Sequence, residues 1–170
     1  MSFIQSKTDA RAYLPGYFLA HEECTRKTKT IPASLGTAAG NTKFVKMGTI
    51  FPSNDANAIG IVYEDVDVTT GDMPGSVVTK GEVYEGRLAD AVDTYSSATV
   101  PTGGNPKELG LYERSGSAGA YIYTLTTDTT AADGKTYYSY DGKKIASAAK
   151  TALQALGFKF VAEPAVTRPE

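Results

Sequence analysis

Residues 58–85 constrain the fold more than any other part of the chain, because they hold two strand-like runs on either side of a loop of turn-forming residues. In residues 58–68, Ile59, Ile61 and Tyr63 keep one parity, whereas Val66 and Val68 keep the other. Side chains on a strand alternate between faces, so the change of parity at Glu64 and Asp65 predicts a bulge or a switch of buried face there. Residues 69–75 form a loop by composition, residues 76–85 a further strand, and the two runs are expected to pair as an antiparallel hairpin.

The rest of the chain extends this β-rich pattern. Residues 6–9 could cap a short helix, stopped by Pro15 and Gly16. Residues 25–31 are rich in Thr and Lys with little apolar alternation, as in an exposed strand or an arm lying on another surface, and residues 35–41 read as a Gly/Ala loop. Residues 43–51 form a strand ended by the turn residues Pro52 to Asp55. After Leu88 the character changes, and residues 95–106 read as a linker of small, polar and Pro/Gly residues. Three short strands, 109–114, 121–127 and 135–140, are expected to form a meander. Ile145, Ala149, Ala152, Leu153 and Leu156 then form a one-faced stripe at helical spacing, with Gly157 placed as its stop and residues 158–160 alternating like a closing strand. The expected fold is α+β, mainly β: a small β-rich core of residues 1–96 and 141–162 with one C-terminal helix, an inserted three-stranded β-meander at 97–140, and a flexible tail at 163–170.

A chain of 170 residues holds one ordinary domain or a domain with a sizeable insertion. Seventeen Lys plus Arg against nineteen Asp plus Glu give a net charge of -2, which lacks the positive field that binding to nucleic acid requires. Cys24 is the single cysteine, so no intramolecular disulfide forms, which fits assembly inside a cell. No secretory leader is read at the start, and no run of about 18 uncharged apolar residues occurs, so neither secretion nor a membrane partner is expected.

Motifs for chemistry are weak. His21 is the single histidine, and with Cys24 it supplies too few ligands for zinc, so no metal and no cofactor is expected. Gly36 and Gly40 flank three residues and Lys43 follows late, unlike a phosphate loop. Glu64, Asp65, Asp67 and Asp72 are the densest acidic cluster; on a continuous strand Asp65 and Asp67 would share a face roughly 7 Å apart. They lack the Gly and terminal Glu of a calcium loop, and turn or interface hydrogen bonding is the simpler role. No catalytic residues are assigned, and an enzyme is not expected. Six of the eleven tyrosines, Tyr112, Tyr121, Tyr123, Tyr137, Tyr138 and Tyr140, fall in the meander. Exposed, they would form a ligand or partner surface; packed on each other, they would replace missing aliphatics.

The residues Gly48 to Pro52, Asn54 to Ala56, Ala58 to Val62, Asp65 to Thr69, Gly71 and Asp72, and Val77 to Val83 ending in Gly86 to Leu88 resemble phage head decoration proteins, a group that includes relatives of the lambda head decoration protein and head fibre proteins. The helix and closing strand, residues 145–161, look like that group's usual ending. The resemblance covers roughly residues 30–90 and 143–161 and rests on structural patterns. It implies a protein on the outer capsid surface of the virion, assembled in the host cytoplasm, that binds the major capsid protein of the expanded head and reinforces it, often as a homo-oligomer, with a trimer favoured. The capsid interface is then expected at Thr25, Lys27, Lys29 and Ile31, with Asp65 and Asp67 shaping the adjacent turn. Residues 97–140 depart from the group and look like a β unit found within other phage structural proteins. The alternative function is a host-surface or carbohydrate-binding accessory acting through Tyr112, Tyr121, Tyr123, Tyr137 and Tyr138.

Overall fold

A computed structural model describes residues 14–164. The expected helix cap at residues 6–9 lies outside them, as does the tail beyond Pro164. The described chain is mainly β, with one α-helix near its C-terminal end. The strands run in order as β1 (Thr25–Ile31), β2 (Thr37–Ala39), β3 (Thr42–Val45), β4 (Ile50–Phe51), β5 (Gly60–Val62), β6 (Val66–Asp67), β7 (Met73–Lys80), β8 (Glu82–Tyr84), β9 (Val92–Ala98), β10 (Tyr112–Ser115), β11 (Ile122–Leu125), β12 (Tyr137–Lys144) and, after helix α1 (Ser147–Ala155), β13 (Lys159–Val161). They divide into two compact units, one ending at Val92 and resuming at Lys144, the other spanning Asp93–Lys143.

The first unit is built round a sheet of order β1-β7-β5-β4. The expected hairpin is its centre: β5 pairs antiparallel with β7, Ile61 opposite Val78 and Val62 opposite Val77. All four side chains are fully buried. Ile61 and Val78 join a cluster with Phe18, Ile50, Val83, Ala149, Leu153 and Phe158, while Val62 and Val77 join another with Ile31, Val45, Val66 and Val68. Because the sheet is covered on both faces, its central residues form an apolar run; strict alternation needs one wet face. The parity change at Glu64 and Asp65 is where the chain leaves this sheet: β6 pairs instead with β3, in a sheet of order β2-β3-β6. At Gly60, β7 leaves no room for a side chain, since a Cβ there would stand 2.5 Å from both Val77 Cγ1 and the Val78 carbonyl oxygen.

Helix α1 buries Ala149 and Leu153. Glu85 accepts the Ile145 N–H at 3.2 Å and pairs with Lys150 Nζ at 2.5 Å, and Asn54 Oδ1 accepts the Ala146 N–H at 3.2 Å, so the segment entering the helix is tied to residues far back in the chain. At the other end Gly157 takes φ +97°, Phe158 N–H donates to the Leu153 carbonyl and Gly157 N–H to that of Gln154, a Schellman stop. Phe158 packs with Leu153 in the same cluster. The chain then forms β13, parallel to β8, with Lys159 opposite Glu82.

The second unit is one sheet of order β11-β10-β12-β9. This corrects the expected meander in two respects. β10 lies between β11 and β12, so the second strand in sequence is an edge and not the centre. A fourth strand, β9, runs into the start of the stretch that reads as linker, its side chains exposed or half-buried with no alternation to detect.

Candidate functional site

Among the described residues, strand β1 forms one edge of the first unit's main sheet, bonded to β7 along its length and to no strand on its other side. Thr25, Arg26 and Lys27 are exposed and Lys29 is half-buried, which gives this open edge a cationic character. The Arg26 guanidinium lies 4.3 Å from the centre of the Tyr63 ring, a cation–π contact that holds its stem against the sheet. Ile31 differs from the expectation for an interface residue: it is fully buried in the core, packed where a side chain on Gly75 would collide with it. The reason is its register, since Ile31 shares a sheet face with Val77 and the other buried valines.

The acidic cluster is dispersed into separate backbone ties. Asp65 Oδ1 accepts the Met47 N–H at 2.7 Å, Asp67 Oδ1 the Thr69 N–H at 2.9 Å, and Asp72 Oδ1 the Ala33 N–H at 2.8 Å. Hydrogen bonds from the Thr69 side chain and backbone hold the Asp67 carboxyl below its ordinary range. Asp65 therefore ties the turn between β5 and β6 to Met47, whereas Asp67 shapes the turn that follows β6. Among the described residues no group of three His, Cys, Asp or Glu is placed to hold a metal ion. No helix there is long and apolar enough to cross a membrane.

A cleft of about 920 Å³ opens between residues 21–25, residues 80–82, Gly157 and Lys159. Glu82 on its lining lies 3.3 Å from His21 Nε2 and 3.1 Å from Lys159 Nζ, and Cys24, which is free, lines it too. Sequence reading placed His21 and Cys24 together but not Glu82 and Lys159, which are joined only by the pairing of β8 with β13. The cleft mixes cations and carboxylates.

In the second unit the tyrosines pack mainly on one another. Tyr123 stacks on Tyr95, and Tyr112 meets Tyr95 edge-on at 5.1 Å. Tyr137 and Tyr138, expected on a ligand surface, are buried. Tyr137 OH donates to Asp128 Oδ2 at 2.6 Å and accepts the Ala132 N–H at 3.2 Å, and the Tyr138 ring lies edge-on to Tyr123. Tyr121 and Tyr140 remain exposed, the latter with its hydroxyl donating to Asp93. Tyr95, hidden in the linker-like stretch, was missed although it touches Tyr112, Tyr123 and Tyr140.

Beside the rings, Lys135 Nζ bridges Asp128 at 2.7 Å and Glu113 at 2.9 Å, and Thr126 Oγ1 donates to Glu113. The hydrogen bonds from Lys135, then those from Tyr137 and Thr126, hold the carboxyls of Asp128 and Glu113 below their ordinary values, and the same two partners raise Lys135 well above its own. A lysine held charged between two charged carboxylates is a structural clasp, since neither acid nor base is free to exchange a proton. No family model matches the chain, and no curated protein or solved structure does.

Proposed function

We propose that the chain is a structural virion protein that binds the outer surface of an expanded tailed-phage head and reinforces it by bridging major capsid protein subunits. The observation that carries this reading is the open, cationic edge of β1, which belongs to the same sheet as the β5–β7 hairpin, the part of the chain that resembles head decoration proteins. An open edge offers unpaired backbone groups to a neighbouring extended segment, and Thr25, Arg26 and Lys27 add hydrogen-bonding and charged side chains along it. The action is binding without turnover. Each copy touching several capsid subunits, and copies associating as trimers, would multiply weak contacts into a durable grip.

The test is co-sedimentation of the purified chain with phage heads lacking decoration. Binding to expanded heads but not to unexpanded ones is expected. Charge reversal of the edge, Arg26→Glu with Lys27→Glu, should weaken binding by about tenfold or more, with a shallower salt dependence. Failure to bind either form of head removes the reading.

A further inference from the structure

We propose that the outer edge of β11 is a self-association site, where the strand pairs antiparallel with β11 of a second copy of this chain. Among the described residues β11 is terminal in its sheet, with β10 on one side and no strand on the other. Its bonding phase follows from two observations. Thr126 N–H donates to the Leu111 carbonyl at 2.9 Å, and the register sets Leu125 opposite Tyr112 and Tyr123 opposite Arg114. Antiparallel ladders alternate bonded and non-bonded pairs. The backbone groups of Ile122 and Thr124 therefore serve β10, while those of Tyr121, Tyr123 and Leu125 point to the open side.

This edge lacks the usual protection. Residues 121–127 contain no charge, proline or glycine, and Tyr121, Ile122 and Leu125 are 42%, 61% and 61% exposed. Charged edges resist pairing and uncharged apolar ones invite it. β1, with Arg26, Lys27 and Lys29, is an edge of the first kind and would repel its own copy. β11 carries nothing that repels its like.

The occupant is a second copy because the edge is complementary to itself. A two-fold axis through Tyr123 sets Tyr123 against its counterpart and Tyr121 against Leu125 of the second copy, twice over. In that register the outward-pointing backbone groups of all three residues meet as bonded pairs, and the exposed Tyr121 and Leu125 side chains fall on one face and cover each other. A strand of four residues buries much less than the ~800 Å² per partner of a stable dimer, so the pairing is weak between free molecules and strong where copies are held close.

Sedimentation equilibrium of the full chain from micromolar to millimolar concentration tests this. The expected result is a reversible doubling of the mass of the dilute species. It should be weakened about tenfold or more by Leu125→Lys, which charges the edge, and by Leu125→Pro, which removes an N–H that β10 does not use. Hydrogen exchange on the unmodified chain gives a second reading: protection of the Tyr123 and Leu125 amides should rise with concentration. A wild type of constant mass with unprotected amides overturns the proposal and leaves the edge to a strand of another protein. Association unchanged in the Leu125→Lys chain, or open-ended growth in place of a doubling, also overturns it.

Discussion

Tyr95 and Tyr123 stack face to face, ring centroids 4.0 Å apart and planes 7° from parallel, although they stand on the two outermost strands of a four-stranded sheet. Strands lie about 4.8 Å apart, so in a flat sheet these two would be roughly 14 Å from each other. The sheet is therefore curled round this face, with Tyr112 and Tyr138 of the inner strands beneath the stacked pair. A unit with few aliphatic residues thus assembles its core from phenol rings. Replacing Tyr123 by Leu keeps apolar bulk but removes the stacking, and should cost the second unit about 1 kcal/mol, read as an earlier near-ultraviolet circular dichroism transition.

The Lys135 clasp predicts how that unit responds to pH. Glu113 and Asp128 have carboxyls lowered from 4.5 and 3.8, so their contribution is complete above those values and is lost as pH falls through the lowered ones. Lys135 is raised from 10.5, so its contribution is complete below that value and is lost only as pH rises past the raised one. Stability from the clasp should be flat across neutral pH and begin to fall once pH drops below 4.5, through Glu113 first and then Asp128. Lys135→Met should shrink that acid step, leaving the smaller part due to Thr126 and Tyr137, as followed by tyrosine fluorescence during acid titration.

Asp90 behaves in the opposite sense. Burial is the main influence and raises its carboxyl, partly offset by the Ile50 N–H that its Oδ2 accepts at 2.6 Å. Its contribution is therefore fully present below 3.8 and is lost as pH rises through the raised value, so the charge is a cost at neutral pH. Asp90→Asn keeps an acceptor without the charge and should melt at or above the wild-type temperature at pH 7. Asp90→Ala leaves the N–H of buried Ile50 without a partner and should cost about 1–3 kcal/mol in denaturant titrations.

Gly60→Ala tests the packing of β5 on β7. The added methyl would meet a side-chain carbon and a backbone carbonyl oxygen, and the carbonyl cannot rotate away without breaking the ladder. A loss of about 2–3 kcal/mol in urea unfolding is expected. Gly40→Ala, where a Cβ meets nothing within 4 Å but φ is +63°, should cost less, about 1 kcal/mol.

Replacing residues 94–142 by a short Gly/Ser link should leave the first unit cooperatively folded, since both of its buried clusters are formed outside that stretch. Co-sedimentation with expanded heads should persist in the shortened chain, whereas a host-surface function acting through the tyrosines would be lost with them.

Local signals were legible where packing is local. The stripe from Ile145 to Leu156 marked the helix, and Gly157 marked its stop, because both depend on residues within two turns. The parity change at Glu64 marked the place where the chain changes sheets, though not which sheet it joins. Pairings set by distant partners were not legible: β13 reads as a strand on its own, but its parallel union with β8 is fixed only when the core closes. The same limit applies to the sites. Exposure of Lys27 could be read from composition, whereas burial of Ile31, Tyr137 and Tyr138 follows from register and from hydroxyl partners such as Asp128, on which spacing is silent.

The division of the chain also sets an order of events during synthesis. Every strand of the second unit lies within residues 93–143 apart from one terminal residue of β9 and one of β12, so this unit can close as soon as that stretch clears the ribosome. The first unit cannot, because Ile145, Ala149, Leu153 and Phe158 complete its core and are made after the insertion. Ile61 and Val78 therefore wait with part of their apolar cover missing while some fifty further residues are added, the interval in which a nascent chain most needs a chaperone or a neighbour that does not compete for them.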